Sequence, residues 1–246
     1  MNTDNMKPYL RLFRTFTSLF AIVFLVSSCA SVQLNQKNWA EKTIKKLTLR
    51  QKIAQMMIYR MHLKYASITP QKWDEIKSLL DNDGIGGIHI WSGDGSSALS
   101  MLNEIQRRST IPIVIDADIE RGLGQRFPSG TDFPPLMAIT ATGNLNNAYE
   151  VGAIVAKESR AAGVQWNLSP VVDVNNNPLN PIINTRSFSE NPGIVSEYAA
   201  QYIRGLQENG MISTAKHFPG HGDTQTDSHS SFCLLYTSDA ADEWLR

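Results

Sequence analysis

Short apolar runs alternate with helix-length amphipathic segments along most of this 246-residue chain, and that alternation limits the folds open to it. Met57–Tyr59, Gly84–Trp91, Ile111–Asp116, Gly163–Asp173 and Ile212–Lys216 read as strands, the first led in by an amphipathic helix over Leu47–Met56. Continuous apolar runs ending in polar residues are what parallel strands show when helices cover one side and core the other. Gln71–Leu80, Ser97–Arg108, Leu145–Ala162 and Pro192–Asn209 carry the helical period between them, with Gly210 as a helix stop. The spacing predicts a parallel α/β fold. Periodicity alone leaves a doubly wound open sheet and a (β/α)8 barrel both open. The length suits a single barrel of roughly 250 residues. No Gly-x-Gly-x-x-Gly turn follows a strand, since Gly84-Ile85-Gly86-Gly87 lies inside an apolar run.

Titratable groups crowd the segment after the last of these strands: Lys216-His217-Phe218-Pro219-Gly220-His221-Gly222-Asp223-Thr224-Gln225-Thr226-Asp227-Ser228-His229. Proline and glycine bend it, and only a bent loop lets Asp227 meet His229 two residues on. Such a pair suits proton transfer, because imidazole titrates near neutrality and a carboxylate fixes its tautomer and stabilises the imidazolium. His217, His221, Asp223, Asp227 and His229 are also metal-ligand types. Pro219, Gly220 and Gly222 break the helix that would put His217 and His221 on one face, so no metal is expected. Asp116, Asp173 and Lys216-His217 each fall at the end of a strand, where barrels collect their active sites.

Twenty-three basic and 23 acidic side chains cancel without a basic stripe, which speaks against nucleic acid and for a neutral or mixed ligand. At the N-terminus Lys7, Arg11 and Arg14 precede the apolar run Leu19–Val26 and then Ser27-Ser28-Cys29, the pattern of an export signal. The run is too short for a bilayer core that needs about 20 apolar residues. Val-Ser-Ser-Cys resembles a bacterial lipobox, which would make Cys29 a lipidated first residue and residues 30–40 a tether; the alternative is an ordinary secretory signal. An exported, membrane-anchored lipoprotein is the expectation. If Cys29 is lipidated, Cys233 has no disulfide partner within the chain.

The loop resembles that of family 3 glycoside hydrolases, in the β-N-acetylglucosaminidase branch, which reads Lys-His-Phe-Pro-Gly-His-Gly, a short spacer, then Asp-Ser-His. The resemblance runs back to about residue 40 through Ile115-Asp116, Trp166–Asp173 and Arg186–Pro192, and stops at about Ser230. It implies the N-terminal part of a (β/α)8 barrel, with about five of the eight strand-helix units present. It implies hydrolysis of terminal β-linked N-acetylglucosamine, on peptidoglycan fragments or other N-acetylglucosaminides, by a retaining mechanism with no cofactor. His229 would be the acid/base and Asp227 its partner. Lys216 and His217 would hydrogen-bond the sugar hydroxyls, Asp116 would grip two of them, and Arg186 would contact the sugar. An arginine follows that aspartate in the family pattern. Arg126 fills the place, with Arg121 as the second choice, and the interval from Asp116 is about two residues longer than the pattern. Asp173, Asn175, His221 and Asp223 are read as loop braces.

The nucleophile of this family is an aspartate on a later strand. Asp239 lies ten residues beyond His229, follows no strand-helix unit and is not taken for it. Residues 41–232 are therefore expected to form a truncated barrel domain, and 233–246 a tail outside the pattern. Alone, such a chain is expected to be inactive; a sugar-binding remnant and a β-glucosidase-type member are the alternatives. Phosphate could replace water as acceptor, since a histidine acid/base would not repel an anion.

Overall fold

The computed structural model describes residues 38–64 and 68–230. The expected signal at 1–29, Cys29, most of the tether, the 233–246 tail and Asp239 lie outside the described residues. Residues 38–46 are helical, and Thr48 then opens helix α1 (Leu49–Ala54). The Gln51 side chain accepts from the Thr48 amide at 3.0 Å while the Thr48 hydroxyl accepts from the Gln51 amide at 3.2 Å, a reciprocal capping box.

From there strand and helix alternate: β1 (Ile58–Leu63), α2 (Pro70–Ser78), β2 (Gly87–Gly93), α3 (Gly95–Arg108), β3 (Val114–Ala117), α4 (Leu136–Thr140), α5 (Leu145–Ala161), β4 (Trp166–Asn167), α6 (Pro192–Glu208) and β5 (Ile212–Ser213). Every neighbouring pair is parallel and the order in space is the order in sequence. A doubly wound sheet reverses its order at a switch point. None occurs among the described strands, so the winding is that of a (β/α) barrel, present as a five-stranded arc with β1 and β5 at its edges.

The helix bounds follow from local chemistry. The Thr69 hydroxyl accepts from the Lys72 amide, Asn144 caps α5 through the Asn146 amide, and Asn191 caps α6 through Gly193 and Ile194. Gly210, at φ 77°, turns the chain out of the segment after α6. Two expectations need correction, and one helix is additional. β1 runs to Leu63, because Met61 and Leu63 are buried while Arg60 and His62 alternate outward. β4 is two residues long instead of Gly163–Asp173. Pro170 offers no amide, and pairing resumes only as a bridge from Val171 to Lys216. Finally α4, only five residues and fronted by Pro134 and Pro135, is too short for a sequence period to show.

Helices α5 and α6 touch backbone to backbone. A Cβ on Gly152 would overlap the Tyr202 carbonyl, and one on Gly205 would overlap the Tyr149 carbonyl. Phe188 packs against Tyr198 and Tyr202, with ring centroids 6.1 and 6.2 Å apart. The Tyr202 ring is fully buried, and its hydroxyl donates to the Glu120 carbonyl at 3.0 Å. Burial pushes that phenol up, out of the physiological range. The core thereby fixes the segment after β3, from which the site is built.

Candidate active site

A cavity of about 550 Å³ opens where β2, β3, β4 and β5 end, lined among others by Trp91, Asp118, Glu120, Arg126, Lys216 and His229. Its acidic groups come from one stretch of chain. Ile115, Ala117 and Ile119 are buried apolar residues, and Asp116, Asp118 and Glu120 alternate with them. Shared partners put the three carboxylates on one side: His89 reaches both Asp116 and Asp118, and Lys216 both Asp118 and Glu120. Period-two alternation thus supplies the core and the site from the same residues.

Glu120 accepts a two-pronged bond from Arg186, at 2.7 and 3.0 Å, and lies 2.8 Å from the Lys216 ammonium. Burial works to raise its pKa, but Arg186 and Lys216 outweigh burial and bring it down to about 2. The same carboxylate raises the pKa of Arg186. Lys216 also meets Asp118 at 2.6 Å. Arg126 donates from Nε to the Asp118 carbonyl at 2.7 Å and lays its guanidinium over Trp91, 4.9 Å from the ring centre. Burial lowers the pKa of Arg126.

The loop after β5 is braced from below. Asp173 holds the His217 ring at 2.6 Å and accepts from the His221 amide at 2.6 Å. Asn180 donates to the His221 carbonyl at 2.6 Å, and Asn177 donates to those of Asp223 and Thr224. The His221 ring sits between Thr224, at 2.6 Å, and Ser228, at 3.0 Å. A Cβ on Gly222 would overlap the Val174 carbonyl, so only glycine lets the loop lie this close. At its far end His229 reaches the cavity, with Nδ1 2.6 Å from Asp227, whose carboxylate also accepts from the His229 amide at 2.9 Å. Those two bonds lower the pKa of Asp227 and favour its charged form.

Lys216, His217, Arg126, Arg186 and His229 therefore share one cavity, with Asp227 behind His229. Asp116 does not join them. It is 1% exposed, bonded to His89 at 2.5 Å, and lies outside the cavity lining, where Asp118 stands instead. The spacing held the signal, because counting from Asp118 removes the two-residue excess before Arg126. Arg121 also lines the cavity, with its Nε 3.6 Å from Asp132, whereas Arg126 is tied into the site. Glu120 and Trp91 were not foreseen. Among the described residues no three His, Cys, Asp or Glu side chains converge as a metal site. His217 and His221, whose ring centres are 6.0 Å apart, face different partners.

An arc of sequentially wound parallel strands, with carboxylates and cations converging on a cavity at the strand ends, defines a barrel domain with its site where such barrels keep their active sites. The chain belongs to glycosyl hydrolase family 3: residues 48–240 match the N terminal domain of that family. It is 36% identical over 170 residues to beta-hexosaminidase A of Pseudoalteromonas piscicida, an alignment covering 63% of this chain and 28% of that protein. To the beta-N-acetylglucosaminidase/beta-glucosidase of Cellulomonas fimi it is 33% identical over 145 residues, covering 59% of this chain and 26% of that one. The solved family 3 beta-N-acetylglucosaminidase of Paenibacillus sp. str. FPU-7 is similar at 35% identity and a TM-score of 0.67, over 74% of this chain and 35% of the other. The chain thus spans less than a third of the length of these two curated relatives.

Proposed function

We propose that the whole protein removes terminal β-linked N-acetylglucosamine by a retaining mechanism, with His229 as its acid/base. The observation that carries this is the His229–Asp227 pair, closed at 2.6 Å and brought to the same cavity as the sugar-binding cluster. With Nδ1 occupied by Asp227, the other ring nitrogen is left to give a proton to the glycosidic oxygen and later to take one from water. Asp118 accepts from sugar hydroxyls, and Lys216, with two of its three hydrogens engaged by Asp118 and Glu120, has one left to donate. The His217 ring, held through Nδ1 by Asp173, offers Nε2. The nucleophile is assigned to a later strand, and the intermediate is a glycosyl-enzyme ester.

The hexosaminidase names of the relatives support N-acetylglucosaminides as the substrate class, and peptidoglycan fragments fit an exported enzyme. Export with a lipid on Cys29 belongs to the same proposal; Cys29→Ala should move the protein from the membrane fraction to the soluble one. The deciding assay compares aryl β-N-acetylglucosaminide with aryl β-glucoside on the full-length protein. N-acetylglucosaminide should be preferred, and His229→Ala should lower kcat by roughly 10²–10⁴-fold. Cleavage of glucosides alone would overturn the assignment.

A further inference from the structure

His89 stands opposite Asp116 in the β2–β3 register, and the two side chains meet at 2.5 Å through Nδ1 and Oδ1. The other ring nitrogen points the opposite way, 3.7 Å from Oδ2 of Asp118. A carboxylate as deep as Asp116, with Ile115 and Ala117 on either side, costs stability unless its oxygens are satisfied. Its Oδ2 has no hydrogen-bond partner among the described residues, so the group is not explained by folding. Asp118 is held unevenly. Lys216 binds its Oδ1 at 2.6 Å, while Arg126 and His89 stand each 3.7 Å from Oδ2, beyond the roughly 3.2 Å limit of a good hydrogen bond. Oδ2 is therefore the oxygen with room to accept from a ligand, and His89 is placed to decide where it points.

We infer that His89 and Asp116 form a positioning pair for Asp118, and that they set affinity for the sugar without taking part in proton transfer. This rests on the reading of Asp118 as the acceptor of sugar hydroxyls. Asp116 orients the ring, the ring's second nitrogen faces Asp118, and Asp118 faces the cavity. The remaining charge facing this group from β1 is Arg60, opposite His89 in register, which spends its guanidinium on the Trp91 ring at 4.9 Å. The 3.7 Å gap between Nε2 and Oδ2 of Asp118 is expected to close into a hydrogen bond when a sugar draws Asp118 into place. A pair acting only on binding changes KM and leaves kcat in place.

The test uses the full-length protein and an aryl β-N-acetylglucosaminide. His89→Ala should raise KM about tenfold, the loss of one charge-assisted hydrogen bond, with kcat held within about twofold. His89→Gln, which keeps a donor, should recover part of that loss, and Asp116→Asn combined with His89→Ala should be no worse than the single alanine variant. An unchanged KM, a fall in kcat at constant KM, or a glutamine variant as impaired as the alanine one would each overturn the inference. Independently of turnover, the ¹⁵N shifts of the His89 ring are expected to move on Asp118→Asn, and a ring indifferent to that change would overturn it too. A wild type that cleaves no N-acetylglucosaminide sinks the functional reading instead, and the ring shifts then decide the coupling alone.

Discussion

Replacing Glu120 by glutamine removes one charge at nearly constant shape, and the structure gives both the cost and its pH dependence. The shift of the Glu120 pKa from 4.5 to about 2 corresponds to about 3 kcal/mol favouring the ionised form in the folded state. Deleting one partner of a buried pair costs about 3–5 kcal/mol. The Arg186 side chain retains 30% of its exposure, which places the expected loss for Glu120→Gln at the lower end, about 3 kcal/mol at pH 7. Because the folded pKa is depressed, the stabilisation is complete above the unfolded value of 4.5 and is lost as pH falls towards about 2. At pH 3 about 2 kcal/mol of it has gone from the wild type, while the variant has nothing to lose at this position. Urea unfolding of both proteins, followed by tryptophan fluorescence at pH 7 and pH 3, reads the difference directly. The gap should shrink to about 1 kcal/mol at the lower pH. An equal gap at both values would refute the claim that the Arg186 and Lys216 charges hold Glu120.

Gly222→Ala would drive a methyl into the Val174 carbonyl and lift the loop that carries His229. Its kcat/KM should fall by about 10²-fold, with a smaller change in melting temperature. Gly205→Ala should push α6 off α5 and cost about 1–3 kcal/mol in thermal unfolding, with kcat retained in the folded fraction. Chelator should leave hydrolysis by the full-length protein unchanged, because the loop histidines are bound to Asp173, Thr224 and Ser228. Activity lost to chelator and restored by a divalent cation would contradict that.

What could be read from the sequence was what local chemistry fixes. The bounds of α5 and α6 sit within a residue of expectation because Asn144, Asn191 and Gly210 cap or stop the chain whatever surrounds them. The strands were less legible, since the length of β4 depends on partners far away in sequence. The site shows the same division. His229 and Asp227 lie two residues apart and were visible as a pair, but the fork from Arg186 to Glu120 spans 66 positions and needed the barrel to close it. Nothing in the sequence marks Asp118, because the apolar run ends at Asp116 and no local signal says that buried and cavity-lining residues go on alternating to Glu120.

That alternation limits how the domain can change. From Ala117 to Glu120 one residue belongs to the interior packing and the next to the cavity lining. Inserting or deleting one residue anywhere in the stretch would turn Ile119 towards the cavity and bury Asp118 or Glu120 among aliphatic side chains. The side chains facing the cavity can be exchanged, but the number of residues is locked, because the cavity wall and the hydrophobic layer are two readings of one ruler.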